Sequence, residues 1–284
     1  MKTSLKSIFV SLYLLFLVAA TIMAVLHITR DVLSLGWLGV ALTTSPFLIF
    51  LSYLMLTQRR ARTSPRLPSI IAFAVVGVAM SMWSWAIGIS GSLPAIVASV
   101  GLAAFLIYVF WYSDLGPRHS AVFAIGKPLP LFSLERVDGS AFQSSAWTGR
   151  PSVLIFFRGN WCPLCMAQIK EVANLYREIE ALGARVALIS PQTDTHTKQL
   201  AQRWEVAFEY YVDRRAAAAR QLGIDHPGGL PLGMQALGYA SDTVLPTVVI
   251  TDAAGIVRFV DETDNYRVRP EPQLFLNVLR AQAA

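Results

Sequence analysis

Cysteine is nearly absent from this chain of 284 residues, which contains only Cys162 and Cys165. Two cysteines exclude a fold held by several disulfides, and they exclude a zinc site with four cysteine ligands. None of the four histidines lies at ligand spacing to the pair, so a mixed zinc site is also disfavoured. The sequence therefore predicts no metal ion and no other cofactor.

Acidic residues are nearly absent from the N-terminal part of the chain. Residues 1–113 contain seven basic residues and a single acidic one, Asp31, whereas the rest of the chain contains 17 of each sign. The net charge of +6 therefore belongs to the N-terminal part, and the C-terminal part is neutral. Because binding of nucleic acid needs a basic surface, we expect no nucleic-acid partner.

Four long apolar runs occupy the same N-terminal part, at residues 8–28, 35–56, 70–89 and 93–112. Each has about the 20 residues that an α-helix needs to cross a bilayer. We expect residues 1–113 to form an all-α, multi-pass anchor in the lipid bilayer of a cell inner membrane, and residues 114–284 to form a separate domain. Four glycines are expected at close helix contacts: Gly36, Gly39, Gly77 and Gly88.

Basic residues predict the orientation of this anchor. They flank the first run and fill the connection between the second and third runs: Lys2, Lys6, Arg59, Arg60, Arg62 and Arg66. Short basic segments stay on the cytoplasmic side of a membrane, and four spans return the chain to that side. The sequence therefore predicts that the domain formed by residues 114–284 is cytoplasmic.

The C-terminal part alternates between strand and helix patterns. Predicted strands at 153–157 and 185–190 enclose a predicted helix at 163–182. Strands at 244–251 and 256–260 and a final helix at 270–280 end the pattern, after a glycine-rich segment, 225–243, predicted as a long loop. Such alternation is typical of an α/β fold in which helices cover both faces of a mixed sheet.

The two cysteines form a C-x-x-C pair between the first of these strands and the helix that follows it. We therefore expect both sulfurs at a helix N-terminus, where free backbone N–H groups and the helix dipole favour thiolate over thiol. Thiolate is the form that attacks disulfides and peroxides. The pair predicts thiol redox chemistry and one internal disulfide.

The run Trp161-Cys162-Pro163-Leu164-Cys165 resembles the active-site element of thioredoxin. Residues 126–280 resemble more closely the peroxiredoxin-like, AhpC/TSA-type branch of the thioredoxin superfamily. The motifs that carry this resemblance are a turn at 138–139 and the segments 157–161, 189–192, 245–247 and 264–267. The resemblance implies a thioredoxin-like fold and a thiol-dependent oxidoreductase with antioxidant activity. It also implies a peroxide or disulfide substrate and a thioredoxin-like or other dithiol electron donor.

The resemblance leaves the order of attack open. In a thioredoxin register, Cys162 attacks first and Cys165 resolves the mixed disulfide. In a peroxiredoxin register, the pattern P-x-x-x-T-x-x-C aligns with residues 158–165. Cys165 then takes the peroxidatic position, Cys162 replaces the threonine, and Arg158 replaces the proline.

Further supporting residues follow from the resemblance. It implies a cis bond before Pro246, which would leave the backbone of Leu245 free to pair with a substrate chain. Trp161 and Pro163 are expected beside the cysteines. Apart from the resemblance, Arg267 and Arg269 could steer an anionic partner, but we interpret them as solvated arginines. A different class of function also remains open, a non-catalytic redox sensor or assembly factor acting on a membrane partner.

Overall fold

The computed structural model describes residues 2–30, 34–118 and 122–283. The chain divides into two compact units. The larger unit comprises Met1–Ser7, Gln58–Arg62 and Leu115–Ala284, and the smaller one comprises Ile8–Thr57 and Thr63–Asp114. The larger unit therefore includes two short pieces from the N-terminal part of the chain.

Four N-terminal helices are long and apolar enough to cross a membrane, as predicted. They are α1 (Lys2–Arg30), α2 (Leu35–Thr57), α3 (Pro68–Ala86) and α4 (Ser92–Ile107), and a π-helical turn at Tyr108–Tyr112 extends the last one. Within the smaller unit, α2 and α3 approach closely at Gly39 and Gly77. A Cβ atom built on either glycine would lie 2.4 Å from the backbone oxygen of the other. Small residues at this crossing let the two backbones touch.

Gly88 was expected at a similar helix contact, and that expectation is wrong. It follows the end of α3 with a φ of +76°, and a Cβ atom there would meet no atom within 4 Å. The residue serves the turn between α3 and α4, because a positive φ is accessible to glycine at little cost. Gly36 does lie at a contact, with the Ser90 hydroxyl 2.7 Å from its would-be Cβ atom.

The larger unit is built on strands numbered here in chain order. They are β1 (Ser133–Arg136), β2 (Ala141–Gln143), β3 (Ser152–Phe156), β4 (Arg185–Ser190), β5 (Glu209–Val212), β6 (Asp225–His226), β7 (Thr243–Val244), β8 (Thr247–Thr251) and β9 (Val257–Asp261). Seven of them form one mixed sheet in the order β2-β1-β5-β4-β3-β8-β9, and β6 pairs with β7 separately. Strands β3, β4 and β5 run parallel, and the remaining pairs in the large sheet are antiparallel.

Helices accompany this sheet. They are α5 (Pro163–Asn174), α6 (Tyr176–Ala181), α7 (Asp194–Ala201), α8 (Ala217–Gln221) and α9 (Pro272–Ala283). Short 3-10 turns occur at Ser144–Trp147, Arg214–Ala216 and Met234–Leu237. The predicted α/β class, a thioredoxin-like mixed sheet with helices preceded by a helical bundle, is confirmed.

Strand β3 lies at the centre of the sheet and leads directly to the cysteines. All five of its residues are buried, as expected for an apolar strand with neighbours on both edges. Phe156 lies opposite Ile189 of β4 and Thr247 of β8. The Phe157 amide then donates to the Ile189 oxygen at 2.9 Å, so pairing continues to the start of the cysteine loop. The loop is therefore anchored at the centre of the sheet.

Two predicted elements are divided in the structure. The helix predicted at 163–182 is broken at Leu175, whose amide donates to Val172 three residues back and so tightens the last turn of α5. The strand predicted at 244–251 is interrupted by Pro246, which has no N–H to donate to a ladder. The loop predicted at 225–243 contains β6 and a 3-10 turn, because β6 pairs with β7 across it.

Candidate active site

Both cysteines lie at the start of α5. Cys162 is the N-cap residue in an extended conformation, and its Sγ accepts a hydrogen bond from the Cys165 amide at 3.4 Å. Pro163 occupies the first helical position, where its missing N–H costs nothing. The two thiols are free, and each cysteine is only 1% exposed. The loop and helix thus place two buried sulfurs beside the positive end of α5.

The surroundings of the two thiols push their pKa values apart. Burial alone raises the pKa of Cys165, but a hydrogen bond from Cys162, the charge of Arg269, and the backbone N–H and charge of Arg158 outweigh it and lower that pKa. Burial raises the pKa of Cys162 well above its usual value, and its hydrogen bond with Cys165 adds to the effect. The arrangement favours a thiolate at Cys165 and a protonated Cys162.

Arg158 is buried rather than solvated, with 6% of its surface exposed. Its Nη2 donates to the Gly229 oxygen at 2.7 Å, and its guanidinium lies 4.6 Å from the centre of the Trp161 ring and 5.6 Å from that of Tyr266. These contacts hold a fixed positive charge next to the cysteine pair. Trp161 is half-buried beside the pair and stacks on this cation.

Arg267 and Arg269 are also buried, at 1% and 4% exposure, so their interpretation as solvated arginines is wrong. The Nη1 atom of Arg269 donates to the Val268 oxygen at 2.7 Å. Its Nε and Nη2 are buried and have no hydrogen-bond partner in the part of the chain that the structure describes. The local sequence could not show that these two arginines are buried. The motif at 264–267, which includes Arg267, was the one feature that could have indicated it.

The loop before Cys162 is held by hydrogen bonds to the segment that follows β4. Gln192, which follows β4, accepts the Asn160 amide at 2.9 Å through its Oε1. The side-chain amide of Asn160 donates to the His196 backbone oxygen at 2.7 Å. Gly159 adopts a φ of +142°, and a Cβ atom there would lie 2.8 Å from Nε1 of Trp161. The loop therefore depends on glycine at this position.

The expectations for Leu245 and Pro246 are wrong in two respects. No peptide bond among the described residues is cis, so the Leu245–Pro246 bond is trans. The Leu245 backbone is not free either, because its amide donates to the Ile224 oxygen at 2.7 Å and its oxygen accepts from the Thr247 hydroxyl at 3.0 Å. Arg118 in turn donates to the Pro246 oxygen at 2.9 Å. These bonds occupy the groups that were expected to pair with a substrate.

Metal-ligating side chains do not gather near the cysteines. Across residues 2–30, 34–118 and 122–283, no group of three His, Cys, Asp or Glu side chains is placed to hold a metal ion. The polar groups that surround the sulfurs are instead arginines and backbone amides. Such a site can stabilise an anionic sulfur and bind an oxygen atom by hydrogen bonds.

Comparison with known proteins finds similarity in the part of the chain that contains this site. Residues 125–260 match the AhpC/TSA family. Chloroplastic peroxiredoxin Q of Oryza sativa subsp. japonica is 28% identical over 108 residues, which are 37% of this chain and 50% of that protein. The Triticum aestivum protein of the same name is 25% identical over 151 residues, which are 52% of this chain and 62% of that protein. Peroxidoxin BcpB from Mycobacterium tuberculosis superposes over 55% of this chain and 96% of its own, with 19% identity and a TM-score of 0.46.

The chain spans about half the length of the rice relative that it matches. The segment that matches the family, residues 125–260, nevertheless contains the central strands, both cysteines, Arg158, β8 and all but the last residue of β9. It lies entirely within the larger unit and outside the helices that could cross a membrane. Residues 125–260 thus form a peroxiredoxin-like domain, and their match to the AhpC/TSA family covers slightly less than half of the chain.

Proposed function

We propose that this protein is a membrane-anchored thiol peroxidase in which Cys165 is the attacking residue and Cys162 the resolving one. The observation that carries the proposal is the placement of both thiols at the start of α5, with Cys162 as the cap and the buried Arg158 beside the pair. These surroundings lower the pKa of Cys165 and raise that of Cys162. Because the thiolate is the nucleophile, the cysteine with the lowered pKa attacks first. This order agrees with the peroxiredoxin register and not with the thioredoxin register.

The proposed reaction has three steps. The Cys165 thiolate attacks the terminal oxygen of a hydroperoxide, an S–O bond forms, the O–O bond breaks, and the alcohol leaves after taking up a proton. The sulfur of Cys162, having lost its proton, then attacks the sulfenic acid of Cys165. An S–S bond forms, the S–O bond breaks, and water leaves with that proton. A dithiol donor returns two electrons and two protons and restores both thiols.

In our proposal, Arg269 and Arg158 take the role of the threonine hydroxyl that Cys162 replaces. Cys162 replaces a hydroxyl with a thiol, which is a weak hydrogen-bond donor. The buried Nε–H and Nη2–H groups of Arg269 are donors of the charge-assisted kind, and the charge of this arginine acts on Cys165. In our proposal they bind the peroxide oxygen and the developing negative charge. Arg158, held by Gly229 and Trp161, adds a second fixed charge.

Burial of the sulfurs supports a small substrate. With both cysteines only 1% exposed, a hydroperoxide molecule meets fewer steric obstacles at Cys165 than a disulfide on a folded protein would. We therefore propose a hydroperoxide as the substrate. The internal disulfide must become accessible before a thioredoxin-like donor can reduce it, so we expect the start of α5 to move after oxidation.

We further propose that α1 to α4 span an inner membrane and that the redox domain is cytoplasmic. The basic segment after α2 carries three arginines between residues 58 and 62, and it belongs to the same compact unit as residues 115–284. A basic connection is expected on the cytoplasmic side. Membership of one unit supports the same side for the redox domain.

Peroxide consumption by the full chain in detergent or lipid nanodiscs tests the proposed function. With thioredoxin, its reductase and NADPH, we expect repeated turnover of hydrogen peroxide that Cys165→Ser abolishes. Cys162→Ser should retain a single turnover and accumulate sulfenic acid at Cys165. A chain that forms the internal disulfide but turns over neither peroxide nor a model disulfide would contradict the enzyme and favour the redox sensor.

A further inference from the structure

Arg62 lies in the connection between α2 and α3, yet its side chain contacts the peroxiredoxin-like domain of the same compact unit. Its Nη2 forms an ion pair with Glu171. Its Nε donates to the Arg269 backbone oxygen at 3.2 Å, and Nη2 also reaches the Pro270 oxygen at 3.4 Å. About a third of the Arg62 side chain remains exposed, so the contact lies at the surface of the unit.

The partners of Arg62 belong to two segments that both affect Cys165. Glu171 is on α5, the helix that begins at Cys162 and contains Cys165. Arg269 is the buried arginine whose charge lowers the pKa of Cys165. A planar guanidinium holds several acceptors in one geometry at the same time, which a lysine does not. The Arg62 side chain therefore connects helix α5 to the segment that carries Arg269.

We infer that Arg62 is a positioning residue, which fixes the segment that carries Arg269 by clamping the Arg269–Pro270 backbone to helix α5. The charged and titratable groups that act on Cys165 are Cys162, Arg158 and Arg269. The Nε and Nη2 atoms of Arg269 lack hydrogen-bond partners in the described part of the chain, so its guanidinium is held there only through Nη1. A contact that fixes the Arg269 backbone therefore helps to fix the position of its charge.

The consequence is a physical link between the membrane anchor and the thiol. The connection that contains Arg62 joins two helices able to cross a membrane. A partner, ligand or membrane change that displaces this connection would release the Arg269 segment and make Cys165 less reactive. The inference uses the proposed function in one respect only, since it takes Cys165 as the reactive thiol.

The test measures the pH profile of Cys165 modification in the full chain with Cys162→Ser, using a small neutral disulfide probe. We expect Arg62→Ala to move the midpoint upward by about half a unit or more, a fraction of the roughly 1 to 3 units that a nearby opposite charge is worth. Arg60→Ala is the matched control, because Arg60 is an exposed arginine two residues away with the same charge. Its profile should be unchanged.

Arg62→Lys separates positioning from simple charge. Lysine keeps the charge but lacks the planar fork, so its midpoint should stay above that of the starting chain. An unchanged profile for Arg62→Ala, equal shifts in Arg62→Ala and Arg60→Ala, or full recovery by Arg62→Lys would each overturn the inference. If Arg62→Ala does not fold, Glu171→Gln replaces it, with an upward shift expected and no shift overturning the idea. The probe reads the sulfur directly, so loss of peroxide turnover alone would contradict the proposed function and leave this inference standing.

Discussion

Replacement of Arg269 by methionine tests the electrostatic basis of the site most directly. Arg269 is 4% exposed, and its charge is the largest contribution from an ionised side chain to the lowered pKa of Cys165. Methionine has a similar length and no charge. Because Nε and Nη2 of Arg269 have no hydrogen-bond partner in the described residues, the substitution leaves no acceptor unsatisfied at those atoms. We expect the variant to fold and to differ mainly in the reactivity of its thiol.

The size of the effect follows from the charges near Cys165. A nearby opposite charge lowers a pKa by roughly 1 to 3 units, and Arg158 remains in the variant, so we expect an increase of about 1 to 2 units. At a pH below both pKa values, each unit lowers the thiolate fraction about tenfold. The remaining thiolate becomes about threefold more nucleophilic per unit, given a Brønsted slope of about 0.4 to 0.5. The net rate should fall about threefold for one unit and about tenfold for two.

The same reasoning predicts a reversal at high pH. Above both pKa values the thiol is fully ionised in either chain, so the Arg269→Met variant should react about threefold to tenfold faster. The assay follows the reaction of Cys165 with dithiodipyridine across the pH range, in the full chain with Cys162→Ser. Arg280→Met is the control, because Arg280 is an exposed arginine in a surface pair with Glu178.

Two results would refute this reasoning. Profiles of Arg269→Met and the starting chain that coincide would show that the charge of Arg269 does not act on Cys165. A variant that is slower at every pH would show that Arg269 controls access or geometry instead of ionisation. The probe is a neutral disulfide, so binding of a peroxide oxygen by Arg269 does not enter the measurement.

Two further predictions concern the cysteine loop and the four helices that could cross a membrane. Gly159→Ala should lower the free energy of unfolding by about 1 to 3 kcal/mol, because the φ of Gly159 is +142° and the new Cβ would lie 2.8 Å from Nε1 of Trp161. The midpoint of thermal unfolding should therefore fall further than in the control Gly149→Ala, where φ is +91° and no atom lies within 4 Å. Equal decreases would show that the contact with Trp161 carries no cost. In a chain without its native cysteines, Gly91→Cys should react with an impermeant maleimide on intact spheroplasts, and Ser64→Cys only after lysis. The reverse pattern would place the redox domain outside the cytoplasm.

The sequence predicted the local structure of the cysteine site well. An apolar strand, a loop and Pro163 at the first helical position leave few conformations other than a helix start with Cys162 as its cap. The α/β class was predictable for a similar reason, since the periodicities of strands and helices are local properties of the chain. The sequence did not predict the breaks at Leu175 and Pro246, because the apolar pattern continues across both positions.

The electrostatics of the site depended on contacts between distant segments. Arg269 follows the cysteines by more than 100 residues, and no local pattern distinguishes a buried arginine from a solvated one. The occupied backbone groups of Leu245 and Pro246 depend on Ile224 and Arg118, which are not neighbours in sequence. The resemblance to peroxiredoxins therefore offered two registers for the cysteines but did not predict the groups that surround them.

The sequence by itself determined that this protein has two spaced thiols at a helix start, four apolar segments and a neutral α/β domain. These properties depend on composition and short-range periodicity, which a chain carries whether or not it is folded. Only the tertiary structure decided which thiol is favoured as thiolate, and which arginines are buried beside it. Coulombic interaction and burial depend on distances in space, so the reactivity of Cys165 becomes defined only when residues 158, 165 and 269 are brought together.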